Sequence, residues 1–113
     1  MKLACTLLAA ALFTTPVFAL AAESNAWLVG TWKMFEDKGS SKVEEDYMDF
    51  QADGTVNLRD GKAVYVRCTY VPDAKAVVLT CPVRGKDKLL SMKVSKDRKV
   101  LDNQIGGLYR KAT

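Results

Sequence analysis

The sequence predicts an all-β domain, a small eight-stranded antiparallel up-and-down barrel with one disulfide. Three observations carry this reading. From residue 28 onward, turn-forming residues recur at short and regular spacing; between them apolar residues alternate at period two; and no window carries the period of an amphipathic helix. Eight consecutive antiparallel strands with one apolar face are most economically satisfied by closing on themselves, which leaves no sticky edge.

The chain of 113 residues opens with Lys2, an apolar run to Phe13, then Thr14-Thr15-Pro16 and Ala19-Leu20-Ala21. That order is a secretory signal peptide, and its apolar stretch is shorter than the ~20 residues a membrane-spanning helix needs. Cleavage is expected after Ala21, or alternatively after Ala19, so 1–21 is read as signal peptide and 22–113 as a single domain that is not membrane-spanning. The expected location is periplasmic or secreted. Of the three cysteines, loss of Cys5 with the signal leaves Cys68 and Cys81, an even pair in a compartment that permits oxidation. A structural disulfide between them would staple a domain too small to bury a large core.

The strands follow from the turns. The first is expected over 28–35. Asp53-Gly54 and Asp60-Gly61 tolerate the positive φ angles of two-residue hairpin turns, so 44–52, 55–59 and 62–71 should form a meander. The segments 72–75, 84–86 and 96–98 turn the chain again, which places the remaining strands at 76–83, 88–95, 99–102 and 107–111. Alternation then points Trp32, Met34, Met48, Phe50, Val56, Leu58, Val64, Val66, Cys68 and Tyr70 inward, followed by Leu90, Met92, Val94, Val100 and Leu108. In the hairpin before residue 76, setting Asp73 opposite Ala76 puts Tyr70 opposite Leu79, Cys68 opposite Cys81 and Val66 opposite Val83, all on one face. Turn chemistry, cysteine position and apolar alternation agree there, and the disulfide would pin the register.

Function classes narrow by composition. There is no histidine, which removes the commonest general base and metal ligand and the usual nucleophile triads, so the chain is not expected to be an enzyme. No cofactor or metal is expected either. The carboxylates Glu44, Glu45, Asp46 and Asp49 cluster around one strand and are read as a solvated edge, with Glu44 and Asp46 on the side of inward Met48. Met34, Met48 and Met92 are read as core filling and not as a copper site, because no Met-x-x-Met spacing is present. Trp27, Tyr47 and Tyr65 are candidate partner-surface aromatics, as is outward Phe35. Residues 22–57 hold three lysines against eight acids, while 58–113 hold 13 basic residues against five acids, a polarity suited to an anionic envelope surface or ligand. The basic stretch 84–99 lacks the stacked aromatics of a single-strand nucleic-acid binder, so no nucleic acid is expected.

Gly30-Thr31-Trp32 on the first strand resembles the G-x-W signature of the lipocalin-like proteins, and Tyr109-Arg110 on the last resembles the segment whose arginine packs over that tryptophan. The resemblance implies a lipocalin-like barrel closed by a Trp32–Arg110 pair. Met34, Met48, Phe50, Tyr70 and Met92 would then face a small apolar or amphipathic ligand. Leu28-Val29-Gly30-Thr31-Trp32 is also similar to the opening of the small exported barrels that inhibit bacterial metalloproteases. That likeness implies another exported protein as the partner, although Ala22 to Ala26 does not reproduce a reactive segment.

Overall fold

A computed structural model describes residues 25–73 and 75–112; the expected signal peptide at 1–21 and its cleavage lie outside them, as do residues 22–24. The described chain forms eight strands: β1 (Gly30–Asp37), β2 (Tyr47–Phe50), β3 (Thr55–Arg59), β4 (Val64–Pro72), β5 (Ala76–Val83), β6 (Lys86–Val94), β7 (Val100–Asp102) and β8 (Gly107–Lys111). They pair antiparallel in chain order, and β8 returns to β1 to close the barrel. Among the described residues no helix is long and apolar enough to cross a membrane.

The β4–β5 hairpin has the expected register, with Tyr70 opposite Leu79 and the Asp73 amide donating to the Ala76 carbonyl at 2.7 Å. Continuing that register sets Cys68 opposite Cys81, and the two are bonded, with Cα atoms 4.4 Å apart. That spacing is the one an antiparallel ladder gives a non-hydrogen-bonded pair, so the bridge fits the sheet without distorting it.

The two Asp-Gly segments turn differently from the two-residue hairpins expected of them. Each belongs to a four-residue connection, 51–54 and 60–63. Asp53 Oδ1 accepts from the Thr55 amide at 3.0 Å, and Asp60 Oδ1 accepts from the amides of Lys62 and Ala63 at 2.8 and 2.9 Å. The aspartates thus build the turns through their side chains. The tight two-residue turn is instead Arg84-Gly85, both at positive φ (52° and 78°), joining β5 to β6.

Trp32, Met48, Val56, Val77, Leu79 and Leu101 are the centre of the buried core, with both cysteines beside them. Four inward assignments need correction. In β4, Tyr65 is an extra residue opposite the Leu58–Arg59 step of β3, so Val64 pairs with outward Arg59 and lies on the outer face, 49% exposed. Val83 keeps the inward parity, but it stands past the barrel rim on the long β5–β6 hairpin and is 43% exposed. In β7 and β8 the parity is inverted: Leu101 and Tyr109 are buried, whereas Val100 and Leu108 are only partly covered.

That inversion also decides the barrel-closing pair. Trp32 is inside, fully buried, as expected. Arg110, adjacent to inward Tyr109, points outward opposite Lys33, and its guanidinium lies 3.9 Å over the Phe35 ring instead of over Trp32. A bulge in β1 between Met34 and Glu36 brings Phe35 to that place.

Candidate functional site

The two ends of the barrel differ. The end where β1 begins is sealed by the turn that precedes it. The Leu28 amide donates to the Asn25 carbonyl at 3.0 Å, and Leu28 is wholly buried. The Trp32 indole N–H donates to the Leu28 carbonyl at 2.8 Å. Asn25 Nδ2 donates to the Tyr70 hydroxyl at 3.3 Å, and that hydroxyl donates to the Gln51 carbonyl at 2.5 Å. Phe50 and Tyr70 pack edge to face, centroids 5.0 Å apart. Side chains fill this half, as expected for a barrel of eight short strands.

The opposite end is open. A hollow of about 180 Å³ enters between Met48, Met92, Leu58 and Leu90, and Asp46, Tyr109, Tyr65 and Ile105 border it. It adjoins a wider hollow of about 470 Å³ that shares Leu58, Tyr65 and Leu90 and extends over Val66 and Val83 to Arg84 and Lys88 on the projecting β5–β6 hairpin. The walls of both are mainly aliphatic, with the thioethers of Met48 and Met92 added in the inner one.

One polar cluster stands in this apolar mouth. Asp46 Oδ2 accepts from the Tyr109 hydroxyl at 2.5 Å, and its Oδ1 accepts from the Tyr65 hydroxyl at 2.9 Å. Burial first, and then the adjacent Asp46 carboxylate, keep both hydroxyls protonated well above the ordinary tyrosine range. Tyr65 remains 59% exposed while its hydroxyl reaches Asp46, so the bulge that displaces Val64 also aims this residue at that carboxylate. Asn103 Oδ1 accepts from the Gly107 and Ile105 amides at 2.8 and 3.0 Å and holds the loop at the rim.

The five interior candidates are all buried, but the structure divides them. Met48 and Met92 line the inner hollow. Phe50 and Tyr70 belong to the sealed end. Met34 packs against Gly107, where its Cε would stand 2.9 Å from an added Cβ. The three candidate surface aromatics are not brought together. Trp27 packs edge-on to Trp32 at the sealed end, centroids 6.4 Å apart, under the Arg98 guanidinium at 5.2 Å. Tyr47 lies beneath Arg59 at 4.3 Å and Lys33 at 5.6 Å, and its hydroxyl donates to Glu45. Tyr65 stands at the open rim.

The acidic cluster is also divided. Asp49 faces outward and forms a salt bridge to Arg59 at 2.6 Å, and it accepts from the Thr31 hydroxyl at 2.6 Å. Burial alone would raise its carboxyl, but the bonds from Arg59 and Thr31 outweigh burial and hold it below the ordinary range. Among the described residues no three His, Cys, Asp or Glu side chains meet as a metal site requires. The residue that sequence reasoning missed is Tyr109, because the parity of β8 was inverted; the inward placement of Asp46 beside Met48 was the signal that could have called for a buried hydroxyl partner. Compared with family models, with curated proteins and with solved structures, the chain matches none.

Proposed function

We propose that the protein is a non-enzymatic, exported binding protein, a lipocalin-like barrel whose open end takes the apolar part of a small apolar or amphipathic ligand. The observation that carries this reading is the pair of adjoining hollows sharing Leu58, Tyr65 and Leu90. Size sets the ligand. The inner hollow of about 180 Å³ is close to the ~150 Å³ that holds a benzene ring, so it suits one ring or a short alkyl segment. The outer hollow falls in the ~300–1,000 Å³ range of ordinary ligand sites. Arg84 and Lys88 border it, which favours an amphipathic molecule with an anionic head. Asp46 is engaged by two tyrosine hydroxyls and so does not confront the apolar part with a bare charge.

The test is a titration with cis-parinaric acid, a fluorescent fatty acid, with Leu90→Glu as the variant. A single saturable site that weakens about tenfold in Leu90→Glu is the expected result, since a second carboxylate in an apolar wall is costly to desolvate. Equal binding by both proteins, or no saturable binding, overturns the proposal.

A second reading is favoured by the apolar groups left exposed at the two hollows, Ile105 (84% exposed) and Val83 (43% exposed). On this reading another exported protein inserts a side chain into the hollow. Competition between parinaric acid and a co-purifying exported protein is its expected signature.

A further inference from the structure

A different feature lies at the sealed end, on the outer face. The β6–β7 turn and β8 enclose a hollow of about 500 Å³ lined by Arg98, Lys99, Arg110 and Lys111, with Asp97 as its acidic member and Trp32 and Val100 on its apolar side. Lys33 lies across from Arg110 on the same face. Among the described residues none of Arg98, Lys99 and Arg110 takes part in a salt bridge.

The turn that supplies Arg98 and Lys99 is rigidly built. The Ser95 hydroxyl donates to Asp97 at 2.7 Å and accepts from the Lys99 and Val100 amides at 3.2 and 3.0 Å. Asp97 also accepts from the Lys99 amide at 3.1 Å, so its carboxylate is spent within the turn. Arg98 occupies the left-handed region at φ 59°, where glycine would be relaxed and a side chain is strained. Its guanidinium lies over Trp27 at 5.2 Å, as that of Arg110 lies over Phe35 at 3.9 Å. A cation held over a ring face keeps N–H groups for an acceptor, since a guanidinium carries five of them. The Lys111 ammonium donates to the Trp27 carbonyl at 3.0 Å, which fixes it beside them.

The lining of this hollow holds four cations against the one engaged carboxylate of Asp97, while Glu44 and Glu45 border the neighbouring hollow that shares Arg110 and Lys111. In an open site each charge contact is weak, so a monocarboxylate would gain little, whereas a phosphate presents several oxygens to two arginine forks and the lysines at once. We propose that this hollow binds the phosphate group of a phosphorylated ligand. The inference goes beyond the open-end reading and stands on separate residues.

The test uses the full mature chain with two probes, inorganic pyrophosphate for a soluble phosphate source and phosphatidylglycerol vesicles for a lipid headgroup. Binding is followed by backbone amide shifts for pyrophosphate and by co-sedimentation for vesicles. Arg98→Gly is the informative variant, because it relieves the strained backbone and removes the guanidinium, leaving the fold intact. Saturable pyrophosphate binding centred on residues 96–100 and 109–111, weakened about tenfold in Arg98→Gly, establishes a soluble phosphate site. Saturable binding to the vesicles alone, with the same loss, assigns the phosphate to a headgroup. Lys62→Ala, an equal change of charge on an exposed turn at the other end, is expected to bind like wild type. Binding of neither probe, binding unchanged by Arg98→Gly, or equal weakening by Lys62→Ala overturns the proposal.

Discussion

Replacing Trp32 by alanine tests the construction of the sealed end. The side chain has no exposed surface, so truncation to alanine removes a large apolar transfer term and leaves a cavity among Leu28, Trp27 and the core, which together cost about 3–5 kcal/mol. The indole N–H also satisfies the Leu28 carbonyl at 2.8 Å, and an orphaned buried acceptor costs roughly 1–3 kcal/mol more unless water enters the cavity. The loss therefore belongs near the top of the first range, a large share of a stability of about 5–15 kcal/mol. Trp27 is half-buried, and Trp27→Ala should cost under about 1.5 kcal/mol. Arg110→Ala should cost about 0.5–1 kcal/mol, because Arg110 is exposed and stacks on Phe35, not on Trp32. Urea unfolding followed by far-ultraviolet circular dichroism measures all three without relying on indole fluorescence. If Arg110→Ala costs as much as Trp32→Ala, the arginine supports the tryptophan after all and the β8 parity described above is wrong. If Trp27→Ala costs as much, the sealed end is not organised around Trp32.

Three further outcomes are expected. Joint Cys68→Ala and Cys81→Ala should lower the unfolding free energy by about 3 kcal/mol, from the chain entropy of a crosslink spanning 13 residues, with the β signature of the folded protein retained in circular dichroism. Tyr109 and Tyr65 keep their protons to higher pH in the folded chain than in the unfolded one, so their contribution is fully present below pH ~10 and is lost as pH rises beyond it. Alkaline unfolding in Tyr109→Phe should accordingly show a shallower dependence on pH above that value, and an unchanged slope would contradict the Asp46 network. Gly107→Ala should destabilise by about 1–3 kcal/mol in thermal melts, because its Cβ would fall 2.5 Å from Asn103 Nδ2 and 2.9 Å from Met34 Cε.

By itself the sequence determined the strand order, the Cys68–Cys81 bridge, the register of the β4–β5 hairpin and the inward set from Trp32 to Tyr70 apart from Val64. These follow from local signals that agree: a turn, a period of two and a cysteine pair must all name the same face. Only the tertiary structure decided the rest. β7 has three residues, Val100–Asp102, too few for alternation to choose a face, so closure against β6 and β1 set its parity and that of β8. Tyr109 was thereby turned inward to Asp46 and Arg110 outward to Phe35. The bulges at Phe35 and Tyr65 arise because a curved, closed sheet must absorb strain between neighbouring strands, and no residue pattern within one strand announces where that happens. Both hollows depend on these events. Tyr65 shapes the open mouth through its bulge, and the four cations at the sealed end meet because β8 lies beside the β6–β7 turn, contacts between segments that local sequence does not encode.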